Sequence, residues 1–206
     1  LTSIIIPTTC NYAAVKRVKR CIEETTKCGS YELLVVDTTP QFLGCVKSIN
    51  TGLKEAVGDV LVLMNDDCQP QANWLPPLIS AIERGATLCS AQWQYARLGG
   101  HCLAMPRDTY ERYGGFDERY RHWCADHHLE MIISQDGGWI GQVPESNVVH
   151  DPWDEHRIHY RRSLYQEKSG LPNTGQWYLE DQATFEAYWG TIVPSDFWDP
   201  DWQRGI

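Results

Sequence analysis

The chain has 206 residues, enough for one full hydrophobic core and too few for two ordinary domains. Its 18 basic against 27 acidic residues leave a formal charge of -9, which disfavours electrostatic attachment to nucleic acid or anionic lipid along the whole surface. No apolar stretch approaches the ~20 residues that span a bilayer, and no charged-then-apolar signal segment opens the sequence, so a cytoplasmic protein with no integral membrane segment is expected.

In chain order, Leu1 to Pro7 holds the β-branched run Ile4-Ile5-Ile6 and reads as a first buried strand, followed by a loop from Thr8 to Asn11. Ala13 to Lys27 is helical, with Val15, Val18, Cys21 and Ile22 on one face and Lys16, Arg17, Lys19 and Arg20 on solvated ones. Leu33 to Val36 is a second strand ending at Asp37, and after a short helix Val60 to Met64 is a third. This βαβ progression implies parallel pairing with right-handed crossovers. Trp74 to Arg84 is a helix whose first turn accommodates Pro76 and Pro77. Leu88 to Tyr95 and His101 to Met105 are strands on either side of Gly99-Gly100. A short helix over Asp108 to Tyr113 ends at Gly114-Gly115, Trp123 to Gln135 is helical, Trp139 to Val143 is a strand, and Val148-Val149 lead to His150.

A core over residues 1–151 is therefore expected, with a C-terminal extension over 152–206 packed on it. The extension is polar and aromatic, with helices expected over His156 to Lys168 and Phe185 to Trp189. It carries Trp153, Trp177, Trp189, Trp198 and Trp202, too aromatic for a solvating tail. Packing onto the core is the default; contact with a sugar, or with a second subunit in a homo-oligomer, is the alternative. The eight cysteines follow no framework and include no C-x-x-C pair, so reduced thiols are expected, Cys21, Cys89 and Cys102 as small buried hydrophobes. Cys124, His127 and His128 lie close together without a second ligand pair, which gives zinc little support.

The most informative feature is Val60 to Met64 running straight into Asn65-Asp66-Asp67. In open α/β sheets ligands collect outside the carboxyl ends of strands, and hard oxygen ligands there suit a divalent cation that itself holds a phosphate. A plain turn is the competing reading, since Asn and Asp are frequent turn formers. A phosphate-cradling Gly-rich loop, as a nucleotidyltransferase requires, is absent from Pro7-Thr8-Thr9-Cys10-Asn11.

Taken in order, Ser3-Ile-Ile-Ile-Pro-Thr8, Glu32-Leu-Leu-Val-Val-Asp37, Asn50-x-Gly52-x-x-x-Ala56-x-Gly58-Asp59, Leu63-Met-Asn-Asp-Asp67, Gly114-Gly-Phe-Asp-Glu118, Ala125-Asp126-x-x-Leu129 and Val149-His150 form a specific series. The series resembles the GT-A glycosyltransferases, and within them the inverting family 2 enzymes that use nucleotide-diphospho sugars. The resemblance covers residues 2–150. It implies an α/β GT-A (Rossmann-like) fold, a mostly parallel central sheet flanked by helices, plus a mainly helical, aromatic-rich C-terminal extension. It further implies a metal-dependent inverting transferase that moves a sugar from a nucleotide diphosphate, a UDP-sugar first, to an acceptor hydroxyl. Saccharide, lipid-linked glycan, protein, small metabolite and modified nucleobase remain open as acceptors.

Position by position, the resemblance assigns Thr8 and Asp37 to the nucleotide base, Asn65 and Asp66 to the donor, Asp67 and His150 to Mn2+ or Mg2+, and Asp126 to the catalytic base. Phe116, Asp117, Glu118 and Trp123 fall on the acceptor side. Arg157, Arg161 and Arg162 could assist at the phosphates, although solvated helix positions account for them as well. Three positions depart from the family pattern: Asn65 stands where an Asp is usual, Ala125 where an acid often precedes the base, and Thr38 where a second carboxylate is common. The Q-x-x-R-W motif of processive synthases is absent, which implies single addition. A non-catalytic nucleotide-sugar or glycan-binding module with a decayed site is the alternative. Asp126, Leu129 and Ile133 share one helix face, so the carboxylate points with apolar residues, as a base or as an N-cap. His150 reads as a ligand or a strand-end histidine, and Trp123 as core or an acceptor platform.

Overall fold

The computed structural model describes residues 1–8, 12–27, 29–37, 43–93, 98–150 and 174–191. The expected helix at 156–168, Arg157, Arg161, Arg162, Thr38, Trp153, Trp198 and Trp202 lie outside the described residues. The first half alternates strand and helix: β1 (Thr2–Thr8), α1 (Tyr12–Thr25), β2 (Tyr31–Asp37), α2 (Cys45–Glu55) and β3 (Val60–Met64). Then come β4 (Cys68–Pro70), α3 (Leu75–Glu83), β5 (Leu88–Ala91), β6 (Cys102–Pro106), α4 (Arg107–Tyr113), α5 (Ala125–Gln135), β7 (Ile140–Val143) and β8 (Val148–His150). A last helix, α6, spans Thr174–Trp189 and begins well before the expected Phe185.

Six strands form one sheet in the order β2-β1-β3-β6-β5-β7, and β4 pairs with β8 in a separate ribbon. β1 pairs in parallel with both β2 and β3, and β5 with β7, while β6 runs antiparallel between β3 and β5. The expected mostly parallel α/β sheet is observed, with β6 as its reversed member. Because β1 lies between β2 and β3, the chain leaves it first to one side and then to the other. That makes the carboxyl ends of β1 and β3 a topological switch point, where such sheets hold ligands.

The central strands are buried on both faces, and the alternation of their side chains divides the core. Ile4, Ile6, Val62 and Met64 face α1 and α3 with Val18, Ile22, Trp74 and Leu78. Ile5, Leu61, Leu63, Leu103 and Met105 face the opposite layer with Val46, Leu53, Leu129, Ile133 and Phe185. Gly52 lets α2 lie directly on the sheet: a Cβ there would come 2.3 Å from Ile5 Cγ2 and 3.0 Å from Val36 Cγ2. The prolines of α3 fall in its first turn, as expected. Among the described cysteines, Cys21, Cys45, Cys68, Cys89, Cys102 and Cys124 are free thiols, with Cys21 half-buried rather than fully enclosed. Burial pushes the Cys89 thiol up to about 12, consistent with an inert core residue. No described helix is long and apolar enough to cross a membrane.

Candidate active site at the carboxyl edge of the sheet

Register sets the site. Thr8 pairs with Asp37 across β1 and β2, and Ile5 with Leu63 across β1 and β3, so the ends of all three strands lie along one edge. The Thr8 hydroxyl donates to Asp66 Oδ2 at 2.7 Å, which joins β1 to the polar triplet directly. At the outer end of the same edge, Tyr12 OH donates to Asp37 Oδ2 at 2.9 Å and leaves that carboxylate exposed.

His150 reaches the triplet through an element that local pattern did not indicate. After Asp67 the chain forms β4, which pairs antiparallel with β8 so that Cys68 stands opposite His150. The pairing delivers the His150 Nε2 atom to 3.4 Å from Asp67 Oδ1 and 3.3 Å from Asn65 Nδ2. Asp67 Oδ1 is sealed from solvent and faces the imidazole. An oxygen and a nitrogen donor therefore converge on one point. Among the described residues no group of three or more His, Cys, Asp and Glu comes together around a metal position. The pair still suits an ion of the Mg2+ or Mn2+ kind, which takes one or two protein ligands and fills its remaining positions with phosphate oxygens and water.

Asp126 enters from the other side. It lies in the first turn of α5, and the residue at the N-cap position is Cys124, held in the left-handed region at φ 64°. The N-cap reading of Asp126 therefore fails: its Oδ1 accepts only the adjacent His127 amide, at 3.1 Å, and lies 3.6 Å from the His127 ring. Its side chain is 27% exposed, so the carboxylate opens onto the crevice. Gly100 explains how it fits, since a Cβ on that residue would lie 2.5 Å from Asp126 Oδ2. The next residue, His101, is 3% exposed; it stacks on Trp93 with ring centroids 4.6 Å apart and lies 5.3 Å from the His150 ring. Burial, reinforced by His150, holds the His101 imidazole down at about 4, so it is neutral at pH 7. A continuous line of contacts thus runs from Asp126 through Gly100 and His101 to His150 and Asp67.

A second measure of convergence is the half-buried Cys45 at the start of α2. Its thiol is pushed up to about 12 by burial and then by the carboxylates of Asp126, Asp66 and Asp67, whose fields meet there. The crevice is therefore acidic, a poor place for a bare diphosphate and a good one for a cation.

The residues expected on the acceptor side separate. Trp123 is 37% exposed and meets the Tyr178 ring of α6 edge-on at 5.7 Å. Phe116, at 4% exposure, packs with the core, and its backbone exchanges hydrogen bonds with Asn50 at 2.9 and 2.7 Å. Asp117 is engaged by Arg119 and lies 3.4 Å from His128 Nε2, while Glu118 is exposed and 3.2 Å from Asn50 Nδ2. This motif buckles a turn onto α2 and α5. Gly100, His101, Trp93 and Cys45 were missed from sequence, and the Gly99-Gly100 pair was the only local signal among them.

The fold, with its switch point at the carboxyl ends of β1 and β3, is of the GT-A class. The family model described as Glycosyl transferase family 2 matches residues 17–136, more than half of the chain. The chain belongs to that family. It is 28% identical to a probable N-acetylgalactosaminyltransferase 7 of Caenorhabditis elegans across 57% of this chain, and it spans only 28% of that relative's length. Among solved structures, it matches a mannosyltransferase of Pyrobaculum calidifontis in complex with GDP-Man and Mn2+ at TM-score 0.66 and 18% identity, over 97% of this chain and 67% of the other. It matches GalNAc-T7 with UDP, GalNAc and Mn2+ at TM-score 0.62 and 15% identity, over 84% of this chain and 51% of the other.

Proposed function

We propose that this glycosyltransferase moves a sugar from a nucleoside diphosphate, with UDP as the first choice, to an acceptor hydroxyl in a metal-dependent reaction that inverts the anomeric carbon. The observation that carries the reading is the approach of Asp126, Asp67 and His150 to one crevice at the β1/β3 switch point. The complexes of the structural relatives with Mn2+ and nucleotides support it. Asp37 and Thr8 line the nucleotide end, and Asp66 is oriented by the Thr8 hydroxyl. Asp67 and His150 would hold a divalent ion, which when bound would supply Lewis-acid chemistry toward the departing diphosphate. Asp126 takes the proton of the acceptor hydroxyl as that oxygen attacks the face opposite the diphosphate. Trp123 offers the acceptor an aromatic face, and a saccharide is the acceptor class that uses one best. Addition is single rather than processive.

The decisive experiment incubates the protein with Mn2+ or chelator, a panel of UDP-, GDP- and dTDP-sugars and saccharide acceptors, and reads product anomers by NMR. Metal-dependent product with opposite anomeric configuration is expected. Donor binding without turnover on any acceptor would reassign the chain as a nucleotide-sugar-binding module.

A further inference from the structure

We infer that Asp181 of α6 is a positioning residue for the acceptor side of the site: its carboxylate fixes the loop 121–123, and through it Trp123 and the start of the helix that carries Asp126. The inference rests on the reading of Asp126 as the base.

α6 docks through residues spaced four apart, Trp177, Asp181, Phe185 and Trp189, which share one face. Trp177 and Phe185 are buried and Trp189 packs against the same core. An apolar residue at 181 would complete that stripe, yet the position holds a carboxylate only 1% exposed. Burying a carboxylate is costly unless its oxygens are satisfied. Here no cation of the described residues neutralises it; three consecutive backbone amides do. Asp181 Oδ1 accepts Arg121 N at 2.9 Å, and Oδ2 accepts His122 N at 2.9 Å and Trp123 N at 2.7 Å. Successive amides turned toward one anion form a concave nest, a loop shape that the anion itself maintains.

The loop is pinned on its far side too. Arg121 O accepts Val46 N at 3.2 Å, and Gly44 admits that carbonyl where a Cβ would lie 2.7 Å away. The loop is therefore clamped between α2 and α6, and Cys124 follows in the left-handed conformation that turns the chain into α5 two residues before Asp126. The same helix presents Tyr178 to the exposed Trp123 ring. A docking role alone calls for an apolar side chain at 181, and a carboxylate is needed only to hold the amides.

The test compares Asp181→Leu, which completes the apolar stripe, and Asp181→Asn, which keeps the shape, with the wild-type chain. Thermal unfolding, donor affinity, single-turnover transfer, acceptor KM and amide hydrogen exchange of residues 121–125 are measured on each. The expected result is folded protein with donor affinity within twofold, exchange at 121–123 accelerated at least tenfold, acceptor KM raised and transfer at least tenfold slower. Wild-type transfer by folded Asp181→Leu overturns the inference. If Asp181→Leu fails to fold, Asp181→Asn decides by the same readouts. If the wild-type chain transfers nothing, the proposed function has failed rather than this inference, and unchanged exchange at 121–125 in either variant then overturns the positioning role on its own.

Discussion

Replacing Asp126 by Asn is the sharpest perturbation of the proposed chemistry, because the structure separates what it removes from what it leaves. The carboxylate is in the first turn of α5, accepts one local amide at 3.1 Å and caps nothing. Asn fills the same space beside Gly100 and can still accept that amide. What is lost in the fold is the favourable interaction of a charge with the helix N-terminus, about 0.3–1 kcal/mol. For a chain of this size that is a fall in Tm of at most about 4 °C. What is lost in the reaction is the proton acceptor, which ordinarily contributes about 10² to 10⁴ in rate, or roughly 3 to 5 kcal/mol of barrier. Single-turnover transfer measured beside calorimetric donor affinity should show the rate falling within that range while affinity holds. A wild-type rate in a folded Asp126→Asn protein would refute the assignment of the base.

Gly100→Ala pushes a methyl to within 2.5 Å of Asp126 Oδ2, and because only the end of a flexible side chain has to move, transfer should drop at least tenfold with Tm nearly unchanged, as kinetics and a thermal scan will report. Donor binding should need Mn2+ over chelator in calorimetry; Asp67→Ala should abolish that dependence and His150→Ala should weaken it less, whereas no effect of His150→Ala would leave His150 a strand-end residue. His101, held at about 4 against an ordinary 6.5, excludes a proton that the unfolded chain accepts, so its stability contribution is complete above pH 6.5 and lost as pH falls toward 4. At pH 5 this loss is about 2 kcal/mol, and urea unfolding with chelator at pH 7.5 and 5 should show the wild type losing about that much more stability than His101→Phe, in which His122 and His128, also held low by burial, still titrate.

Apolar runs, helical stripes and the motif series were enough to give the strands and helices of residues 2–64, the sheet class and the family. Runs such as Ile4–Ile6 and Val60–Met64 are long enough, and end abruptly enough, to announce buried strands and the edge where chemistry collects. The pattern also placed Asp126 on an inward face, because helical period is a local property. Whatever depends on distant segments meeting is visible only once the chain is folded. β4 is a three-residue strand with no periodicity of its own, and only its pairing with β8 brings His150 to Asp67. Phe116 matched a motif in sequence, and only packing reveals that it is 4% exposed. Gly100 and His101 are separated from Asp126 by a strand, a helix and a loop, and no local pattern reports that contact. Asp181 is the extreme case: along its helix it is one acid among several, and only the three amides 58 to 60 residues earlier give its burial a reason.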